Sequence, residues 1–473
     1  MTNKSIYITT TLPYVNSDPH LGFALEIIQA DAIARFKKLQ GFNVFFNFGT
    51  DEHGLKIYRQ AQEKKQDPQE YVDEYAKKFN ALKKALNLSY NNFIRTTDPH
   101  HIKTAQEFWR RCNKNGDIYK KNYKQKYCVG CELEKTDSEL TDGRCPIHPN
   151  LNIEMIEEEN YFFRFSKYQK PLLEFYQKNP NFVIPKSKFN EIKTFVENDL
   201  QDFSISRLKS KMPWGIEVPG DPEHVMFVWF DALVNYVTAV GWPDDKDKFE
   251  KWWPVTQFAG KDNLRQQSAI WQAMLMSAGI PNSKQIFIHG FITVNGQKIS
   301  KSLGNAINPL EVTQKYGTDS LRYYLLAKIN PYNDTDFTFE KFEEIYNSDL
   351  ANGLGNLVAR VAKLCDNSKL QFPKNKQSHI PEPIKTSLEE FRFNNSLEEI
   401  WTLIKGLDQK INQDRLWEKH GEELNKTLGQ VVEVIRLIAF NLKPFLPETA
   451  EKIEKQFAGP KIKSGKALFP RLK

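Results

Sequence analysis

The start of the chain contains two kinds of hydrophobic pattern. Ser5–Thr10 alternates isoleucine with polar positions, which predicts a strand, and an apolar face with helical spacing follows from His20. Val44–Phe48 then predicts a buried strand that ends at Gly49. A strand, a helix and a second strand in this order predict a βαβ unit, with a parallel sheet and a ligand crevice at the carboxyl ends of its strands.

The next segments predict an insertion into that sheet domain. Residues 67–115 are predicted to be helical, and Asp117–Tyr127 has period two, with tyrosines on one face and lysines on the other. We interpret this segment as a half-solvated strand, although the same alternation is compatible with RNA stacking and phosphate contact. A second α/β half is predicted from three strands and one helix, at Val225–Phe230, Thr256–Gly260, Gln285–His289 and Leu264–Ala278.

From about Glu340 onward the pattern is helical throughout. Helices are predicted over Thr386–Gln413 and Gly421–Leu442, after a proline-rich linker at Gln371–Pro383, and such a series predicts a helical bundle. We therefore expect five segments. They are a first half of the sheet domain (1–115), an inserted domain (116–218), a second half (219–290), a linker domain (291–345) and the bundle (346–473).

Composition narrows the class of protein without naming a partner. With 40% hydrophobic and 26% charged residues, the 473-residue chain is not intrinsically disordered. It has no apolar run long enough to span a bilayer, and its start lacks the apolar core of a signal peptide, so we expect a cytoplasmic protein. A net charge of +7, much of it in the tail Lys461–Lys473, neither proves nor excludes a nucleic-acid partner.

Two polar segments have the residue types that bind phosphate. Pro19-His-Leu-Gly-Phe23 begins a predicted helix, where free N–H groups and the helix dipole favour anions, and Gly296–Gly304 carries Lys298 and Lys301 between glycines. Each segment alone is more typical of a helix cap or a solvated basic loop. The two segments occur in this order at the two ends of a split α/β domain. Together they favour a site for a polyphosphate.

Three cysteines and a histidine predict a metal site. Cys128-Val-Gly-Cys131 followed by Cys145-Pro-Ile-His148 supplies three thiolates and an imidazole, which is the closed tetrahedral set of a structural zinc ion. Two unrelated hairpin thiols are the alternative. Cys112 and Cys365 lie in helical patterns and are predicted to be core residues.

These motifs resemble the class I aminoacyl-tRNA synthetases, and within them the methionyl-tRNA synthetase family of the type with a single zinc knuckle. His20–Phe23 and Lys298–Ser302 stand for the two class signatures. The resemblance spans nearly the whole chain and implies a split Rossmann-like catalytic domain with a zinc-binding insertion and a helical anticodon-binding bundle. It also rests on the segments Leu12–Asn16, Gly49–Gly54, Gly260–Asp262, His289–Asn295, Asp319–Tyr324 and Leu442–Pro447.

The resemblance implies an activity and a residue for each step. Methionine would react with ATP to give methionyl-adenylate, and the aminoacyl group would pass to the 3′-terminal adenosine of tRNA(Met), with Mg²⁺ on the phosphates. His20, Lys298 and Lys301 would be catalytic, and Asn356 and Arg360 would read the anticodon. The ATP-binding residues would be Pro19, His20, Gly22, Phe23, Asp262, Lys298, Ser300, Lys301 and Ser302. The methionine-binding residues would be Leu12, Tyr14, Asp51, Trp229, Ala232, Tyr236, Gln267 and Trp271.

Four positions depart from the family pattern. Phe23 replaces the second histidine of the first signature, and a phenyl ring cannot donate a hydrogen bond to phosphate. Asn263 and Gln267 replace an isoleucine and a histidine near the methionine site. The tryptophan that would stack on the anticodon is expected just before Leu442, where Asn441 stands instead.

Two alternatives remain open at this point. One is a class I synthetase for another apolar amino acid, although an insertion occupied by a zinc knuckle leaves little room for the editing domain of those enzymes. The other is a catalytically silent tRNA-binding paralogue, suggested by Phe23 but opposed by the intact His20, Asp51 and signature lysines. We expect a monomer.

Overall fold

The structure is a computed structural model that describes residues 4–198, 200–299, 304–373 and 379–472. It divides into two compact units. The first comprises residues 1–19, 42–81 and 90–288, and the second comprises residues 20–41, 82–89 and 289–473. Among the described helices, none combines the length and the apolar character needed to cross a membrane.

Strands and helices alternate in the first part of the chain, and helices dominate the last. The strands are β1 (Ser5–Thr10), β2 (Asn43–Thr50), β3 (Asn92–Arg95), β4 (Ile118–Cys128), β5 (Leu133–Lys135), β6 (Glu154–Phe163), β7 (Val183–Ile184), β8 (Phe203–Ser204), β9 (Ser206–Leu208), β10 (Glu217–Val218), β11 (Asp221–Met226), β12 (Val255–Gly260), β13 (Gln285–His289), β14 (Ile292–Val294), β15 (Gln297–Lys298) and β16 (Thr335–Phe337). The helices are α1 (Leu21–Leu39), α2 (Leu55–Glu63), α3 (Pro68–Ala85), α4 (Pro99–Lys114), α5 (Gln169–Lys178), α6 (Lys186–Glu197), α7 (Val228–Leu233), α8 (Asn235–Thr238), α9 (Lys246–Trp252), α10 (Trp271–Ala278), α11 (Pro309–Tyr316), α12 (Thr318–Ala327), α13 (Phe339–Ile345), α14 (Asn356–Ser368), α15 (Glu382–Glu389), α16 (Phe393–Gln413), α17 (Gly421–Leu442) and α18 (Pro447–Gln456).

A six-stranded sheet with the order β3-β2-β1-β12-β13-β7 forms the centre of the first unit. Strand β1 pairs in parallel with β2 on one side and with β12 on the other. Because the chain leaves β1 for β2 and reaches β12 only after the insertion, the strand order reverses between β1 and β12. In open α/β sheets ligands bind outside the carboxyl ends of strands at such a reversal. The split α/β architecture predicted from the sequence is confirmed.

The insertion contains an antiparallel sheet. Strand β4 covers the segment predicted to be half-solvated and pairs with β5 and β6. On its lysine face, the Lys120 ammonium lies 2.8 Å from the Asp221 carboxylate, and the Lys124 ammonium lies 3.0 Å from that of Glu157. These lysines are therefore neutralised within the protein, which supports the solvated strand over an RNA-binding strand.

Two local predictions in the first unit were wrong, and a third is confirmed with one irregular turn. The predicted strand Val225–Phe230 ends at Met226, and α7 begins two residues later, because a short apolar run does not distinguish a buried strand from a buried helix. Strand β3 lies inside the stretch predicted to be only helical. The helix predicted over Leu264–Ala278 contains a π-helical turn at Gln266–Ile270, a feature that is common at functional sites.

A buried ion pair joins the helices of the second unit. The guanidinium of Arg322 on α12 lies 2.8 Å from the Asp31 carboxylate on α1, and both side chains are fully buried. The same guanidinium donates to the carbonyl oxygens of Leu86, Pro444 and Phe445. Since every polar group of the pair is satisfied, the pair specifies one packing of α1 against the turn before α18.

Candidate active site

Asp51 and Tyr14 meet where two neighbouring strands end. Tyr14 follows β1 and Asp51 follows β2, and the two residues form an isolated parallel bridge. The Asp51 N–H donates to the Pro13 carbonyl at 2.9 Å, and the Val15 N–H donates to the Asp51 carbonyl at 3.1 Å. These bonds fix the backbone of Asp51 at the carboxyl edge of the sheet.

The Asp51 carboxylate is buried and incompletely satisfied. Its side-chain oxygen Oδ1 has no hydrogen-bond partner among the described residues. Burial, reinforced by the charges of Asp231, Glu52 and Glu132, raises the pKa of Asp51 well above its usual value. A buried acid in this state gains most from a ligand that brings a positive charge and N–H donors.

An aromatic cluster lies in the core of the same unit. The rings of Tyr236 and Trp271 meet edge to face with centroids 5.8 Å apart, and Leu12 packs against the hydrophobic core that contains both. Trp229 packs with Tyr14 against a second small cluster around Tyr127. Polarizable apolar groups such as a thioether pack well against aromatic edges.

Gln267 is held in a chain of amides that ends on Tyr236. The Gln257 side-chain N–H donates to Gln267 Oε1 at 2.9 Å, and Gln267 Nε2 donates to the Tyr236 hydroxyl at 2.8 Å. The π-helical turn places Gln267 in this position. The glutamine therefore forms the hydrogen bond to tyrosine that a neutral imidazole would form. Asn263, by contrast, bonds to the Asp262 carboxylate at 3.4 Å.

A buried group behind this site was missed by sequence reasoning. Asp231 accepts a hydrogen bond from His53 at 2.6 Å and one from His101 at 2.8 Å, and the charges of these histidines hold its pKa low despite burial. His53 lies two residues after Asp51, and Asp231 immediately precedes Ala232. The signal was present, because both residues are titratable and lie within two positions of predicted site residues.

The predicted metal ligands lie together in the insertion. Cys128, Cys131, Cys145 and His148 place their ligand atoms within 4.8 Å of one another. Cys131 Sγ lies 3.4 Å from Cys145 Sγ and 3.2 Å from His148 Nδ1, close to the edges of about 3.5 to 3.8 Å that a zinc tetrahedron requires. Gly130 is needed here, because a Cβ would lie 2.5 Å from the His148 ring. The donor set fits zinc.

Glu132 connects this metal centre to Tyr14. It follows Cys131 directly, and its Oε1 accepts the Tyr14 hydroxyl at 3.1 Å and the Lys56 N–H at 2.9 Å. Its other oxygen accepts the Tyr127 hydroxyl. The residue is buried, so the position of Tyr14 depends on a residue that the cysteine turn orients. No sequence pattern indicated this contact.

The first signature begins α1 in the second unit. His20 is the N-cap residue, and its Nδ1 accepts the Gly22 N–H at 3.1 Å. Burial lowers the pKa of His20 to about 4, so the ring is neutral with its proton on Nε2, where it can donate. A Cβ on Gly22 would lie 2.9 Å from His20 Cε1, which explains the glycine. Phe23 packs on the His20 ring at 4.3 Å between centroids.

Lys298 lies in a tight hairpin of the second unit. Strands β14 and β15 pair across Asn295-Gly296, whose positive φ values of 52° and 74° suit a two-residue hairpin turn. The exposed Lys298 ammonium lies 5.1 Å from the Phe291 ring centroid. Ser300, Lys301 and Ser302 lie outside the described residues. Of the remaining ATP-binding candidates, Pro19 is buried in the first unit and Asp262 is exposed there.

The anticodon-reading candidates lie on α14 of the bundle. Asn356 is exposed, and Arg360 donates to Asp408 at 3.1 Å and to Asn412 at 2.6 Å. The Arg360 guanidinium also lies 5.1 Å from the ring centroid of Trp417, an indole that is 50% exposed. The bundle thus has an exposed tryptophan beside Arg360, in a loop that no sequence motif singled out.

Comparisons with known proteins agree with this architecture. A model of the class I tRNA synthetases (M) matches residues 6–154 and 134–362. Methionine–tRNA ligase of Synechocystis sp. is 43% identical over 95% of this chain and 88% of the relative, and that of Thermotoga maritima is 42% identical over 94% and 74%. The structure of Mycobacterium tuberculosis methionyl-tRNA synthetase in complex with methionyl-adenylate matches with a TM-score of 0.93 and 34% identity, covering 99% of this chain and 100% of that one.

The fold and these matches define an ATP-dependent aminoacyl-tRNA ligase of class I. Within that class, the chain belongs to the methionine–tRNA ligase family, and its function is the synthesis of methionyl-tRNA. The sequence-based assignment of class and amino acid is confirmed. The roles of individual residues stay predictions.

Proposed function

We propose that this chain joins methionine to tRNA(Met) in two steps, with Asp51 and the aromatic cluster holding methionine. The observation that carries the proposal is the buried Asp51 oxygen Oδ1 without a hydrogen-bond partner in the described chain. An α-ammonium group supplies the missing donor and charge. Tyr14, Trp229, Ala232, Tyr236, Gln267, Trp271 and Leu12 would then surround the thioether.

In the first step a carboxylate oxygen of methionine attacks the α-phosphorus of ATP and pyrophosphate leaves. The reaction needs no nucleophile from the protein, only positioning and stabilisation of charge. Neutral His20 donates from Nε2 to a phosphate oxygen, and Lys298 and Lys301 neutralise the leaving pyrophosphate. Mg²⁺ carried by the phosphates supplies further charge neutralisation. Pro19, Gly22, Phe23, Asp262, Ser300 and Ser302 complete the ATP-binding set.

In the second step a ribose hydroxyl of the terminal adenosine attacks the carbonyl carbon of the adenylate, and AMP leaves. The bundle recognises the other end of tRNA through Asn356, Arg360 and Trp417. An amide and a guanidinium bind base edges, and an exposed indole provides a stacking surface for an unpaired base. Arg360 is preoriented for this by Asp408 and Asn412.

A metal ion, the oligomeric state and the domain division complete the proposed function. One structural Zn²⁺ binds Cys128, Cys131, Cys145 and His148, as the donor geometry supports. The monomeric state and the cytoplasmic location predicted from the sequence are also part of the proposed function. The chain also has the five domains that the sequence predicts.

ATP–pyrophosphate exchange with individual amino acids tests the first step. We expect exchange with methionine and little with leucine, isoleucine or valine. The variant Lys301→Ala should lose most of this exchange and keep nearly all tRNA affinity, because the lysine acts on the phosphates alone. Exchange with leucine or valine in place of methionine would contradict the assignment, and full activity of the variant would remove Lys301 from the mechanism.

Substitution of Trp417 tests the proposed tRNA-binding surface of the bundle. Trp417→Ala should weaken tRNA(Met) binding by about tenfold, because stacking on an aromatic ring contributes about 1–3 kcal/mol per base. Trp417→Phe keeps a stacking surface and should lose much less. Filter binding measures both affinities, and methionine-dependent exchange should be unchanged in both variants. An alanine variant with unchanged tRNA affinity would show that no base stacks on Trp417.

A further inference from the structure

Residues 460–472, which we call the basic strap, form no helix or strand in the described chain. The strap contains Lys461, Lys463, Lys466 and Arg471 and no acidic residue. It is nevertheless anchored, because Ile462 and Phe469 are buried at 2% and 8% exposure. The lysines on either side of these anchors are exposed. The strap therefore combines an apolar inner side with a cationic outer side.

One end of the strap is attached to the carboxyl-terminal half of α14. The Ser464 N–H donates to the Asp366 carboxylate at 3.2 Å. Just before it, the Lys463 carbonyl accepts from the Gln456 side chain at 2.9 Å. These contacts fix the peptide unit between Lys463 and Ser464.

The other end of the strap is attached to the π-helical segment Tyr346–Gly355 that leads into α14. The Phe469 ring meets Tyr346 edge to face at 6.0 Å. Arg471 Nε donates to Asn352 at 2.7 Å, and the Leu472 N–H donates to Asn347 at 2.9 Å. The strap thus runs antiparallel to the helix, from Asp366 back towards Asn347.

Asn356 and Arg360 lie between these two attachment points. The Phe469 backbone nitrogen lies 3.8 Å from the Cβ position of Gly355, the residue before Asn356. The Ser464 contact is at Asp366, beyond Arg360. Lys466 belongs to the part of the strap between these contacts, so the strap's cations run alongside the helix that carries the proposed anticodon-reading residues.

The strap's lysines differ from other lysines of the bundle in their ion pairing. Lys410, Lys419 and Lys455 each form an ion pair with a carboxylate one helical turn away. Lys461, Lys463 and Lys466 form no ion pair with any residue in the described ranges. The Asp366 carboxylate offsets part of the positive charge of Lys463. The other positive charges of the strap are available to a polyanion.

We propose that the basic strap binds the phosphate backbone of the tRNA whose anticodon is read by the adjacent helix. Lysines are mobile point charges that contact phosphates without selecting bases, and such contacts set the register of a protein on nucleic acid. An RNA is favoured over an acidic protein because the strap lies along α14, the helix that carries Arg360, and Arg360 lies beside the exposed Trp417. This inference rests on the proposed tRNA-binding role of these two residues.

The experiment compares tRNA(Met) affinity over a series of salt concentrations. The triple variant Lys461→Gln, Lys463→Gln and Lys466→Gln should bind about tenfold more weakly at physiological salt. The slope of log Kd against log salt should fall by about 3, because three phosphates are no longer neutralised by the protein. Methionine-dependent ATP–pyrophosphate exchange and the melting temperature should stay unchanged. The corresponding triple arginine variant should keep the affinity and the slope.

A matched control removes three exposed lysines elsewhere in the second unit, Lys341, Lys452 and Lys455, and should leave the slope unchanged. If the strap variant behaves like this control while Trp417→Ala loses tRNA affinity, the strap inference is overturned and the proposed function stands. If Trp417→Ala also binds normally, the tRNA-binding surface itself has been misplaced. If both lysine variants show the same fall in slope, the effect is general charge and the strap has no specific role.

Discussion

Asp51→Asn is expected to lower kcat/KM for methionine in ATP–pyrophosphate exchange by at least about 100-fold, the effect of removing one partner of a buried charge pair. The amide keeps the size of the carboxylate but presents a neutral oxygen to the substrate ammonium. The wild-type KM for methionine should rise as pH falls, because the pKa of Asp51 is raised and its protonated form attracts no cation. Exchange kinetics at several pH values measure both effects.

The same substitution should make the protein more stable. Because the folded-state pKa of Asp51 is raised, its favourable contribution is complete at low pH and is lost as pH rises through the folded-state value. At neutral pH, Asp51→Asn should therefore increase the free energy of unfolding by about 1 kcal/mol, as for other functional residues that trade stability for activity. The gain should vanish in acid.

Asp231→Asn is the matched control for this stability effect. Asp231 lies in the same buried region, but His53 and His101 hold its pKa low, so its contribution is present at neutral pH and lost as pH falls. The control should melt below wild type at neutral pH. A melting temperature of Asp51→Asn at or below that of wild type, or an unchanged kcat/KM, would contradict the role given to Asp51.

Removing the metal ligands is the second large change. Cys128→Ser combined with Cys131→Ser should abolish the zinc content of about one ion per chain, because only two of the four ligands remain. An intact structural zinc site has an apparent binding free energy of about 10–16 kcal/mol, which depends on the full ligand set. KM for methionine should rise by about tenfold or more, the usual range for residues that orient a functional site. The link is Glu132, which follows Cys131 and accepts the Tyr14 hydroxyl.

Elemental analysis and exchange kinetics measure these two outcomes. Cys112→Ala is the control, because Cys112 is a buried free cysteine outside the metal cluster. It should keep the zinc content and the methionine KM. Retained zinc in the double serine variant would show that the metal is bound elsewhere. Zinc loss with an unchanged KM would mean that Glu132 holds Tyr14 without help from the metal.

The strongest sequence predictions came from patterns that a local segment determines by itself. Strand β1 and helix α17 begin and end where their periodicity does, and the four metal ligands are together because two short turns carry them. The stretch Thr386–Gln413 was predicted as one helical region but is two helices, separated at Phe391, which has a positive φ of 58°. The spacing of hydrophobic residues does not predict a break that is caused by a single backbone angle.

The class of fold, the two signatures, the metal donor set and the family were all predictable from the order of the amino acids. These depend on residue type at short spacing, where periodicity and chemistry act locally. Four features follow from the tertiary structure alone. Asp51 Oδ1 has no hydrogen-bond partner in the described part of the chain, Glu132 reaches Tyr14, Trp417 lies beside Arg360, and the basic strap follows α14. Each of these joins residues far apart in the chain, and such contacts are set by packing that no local pattern records.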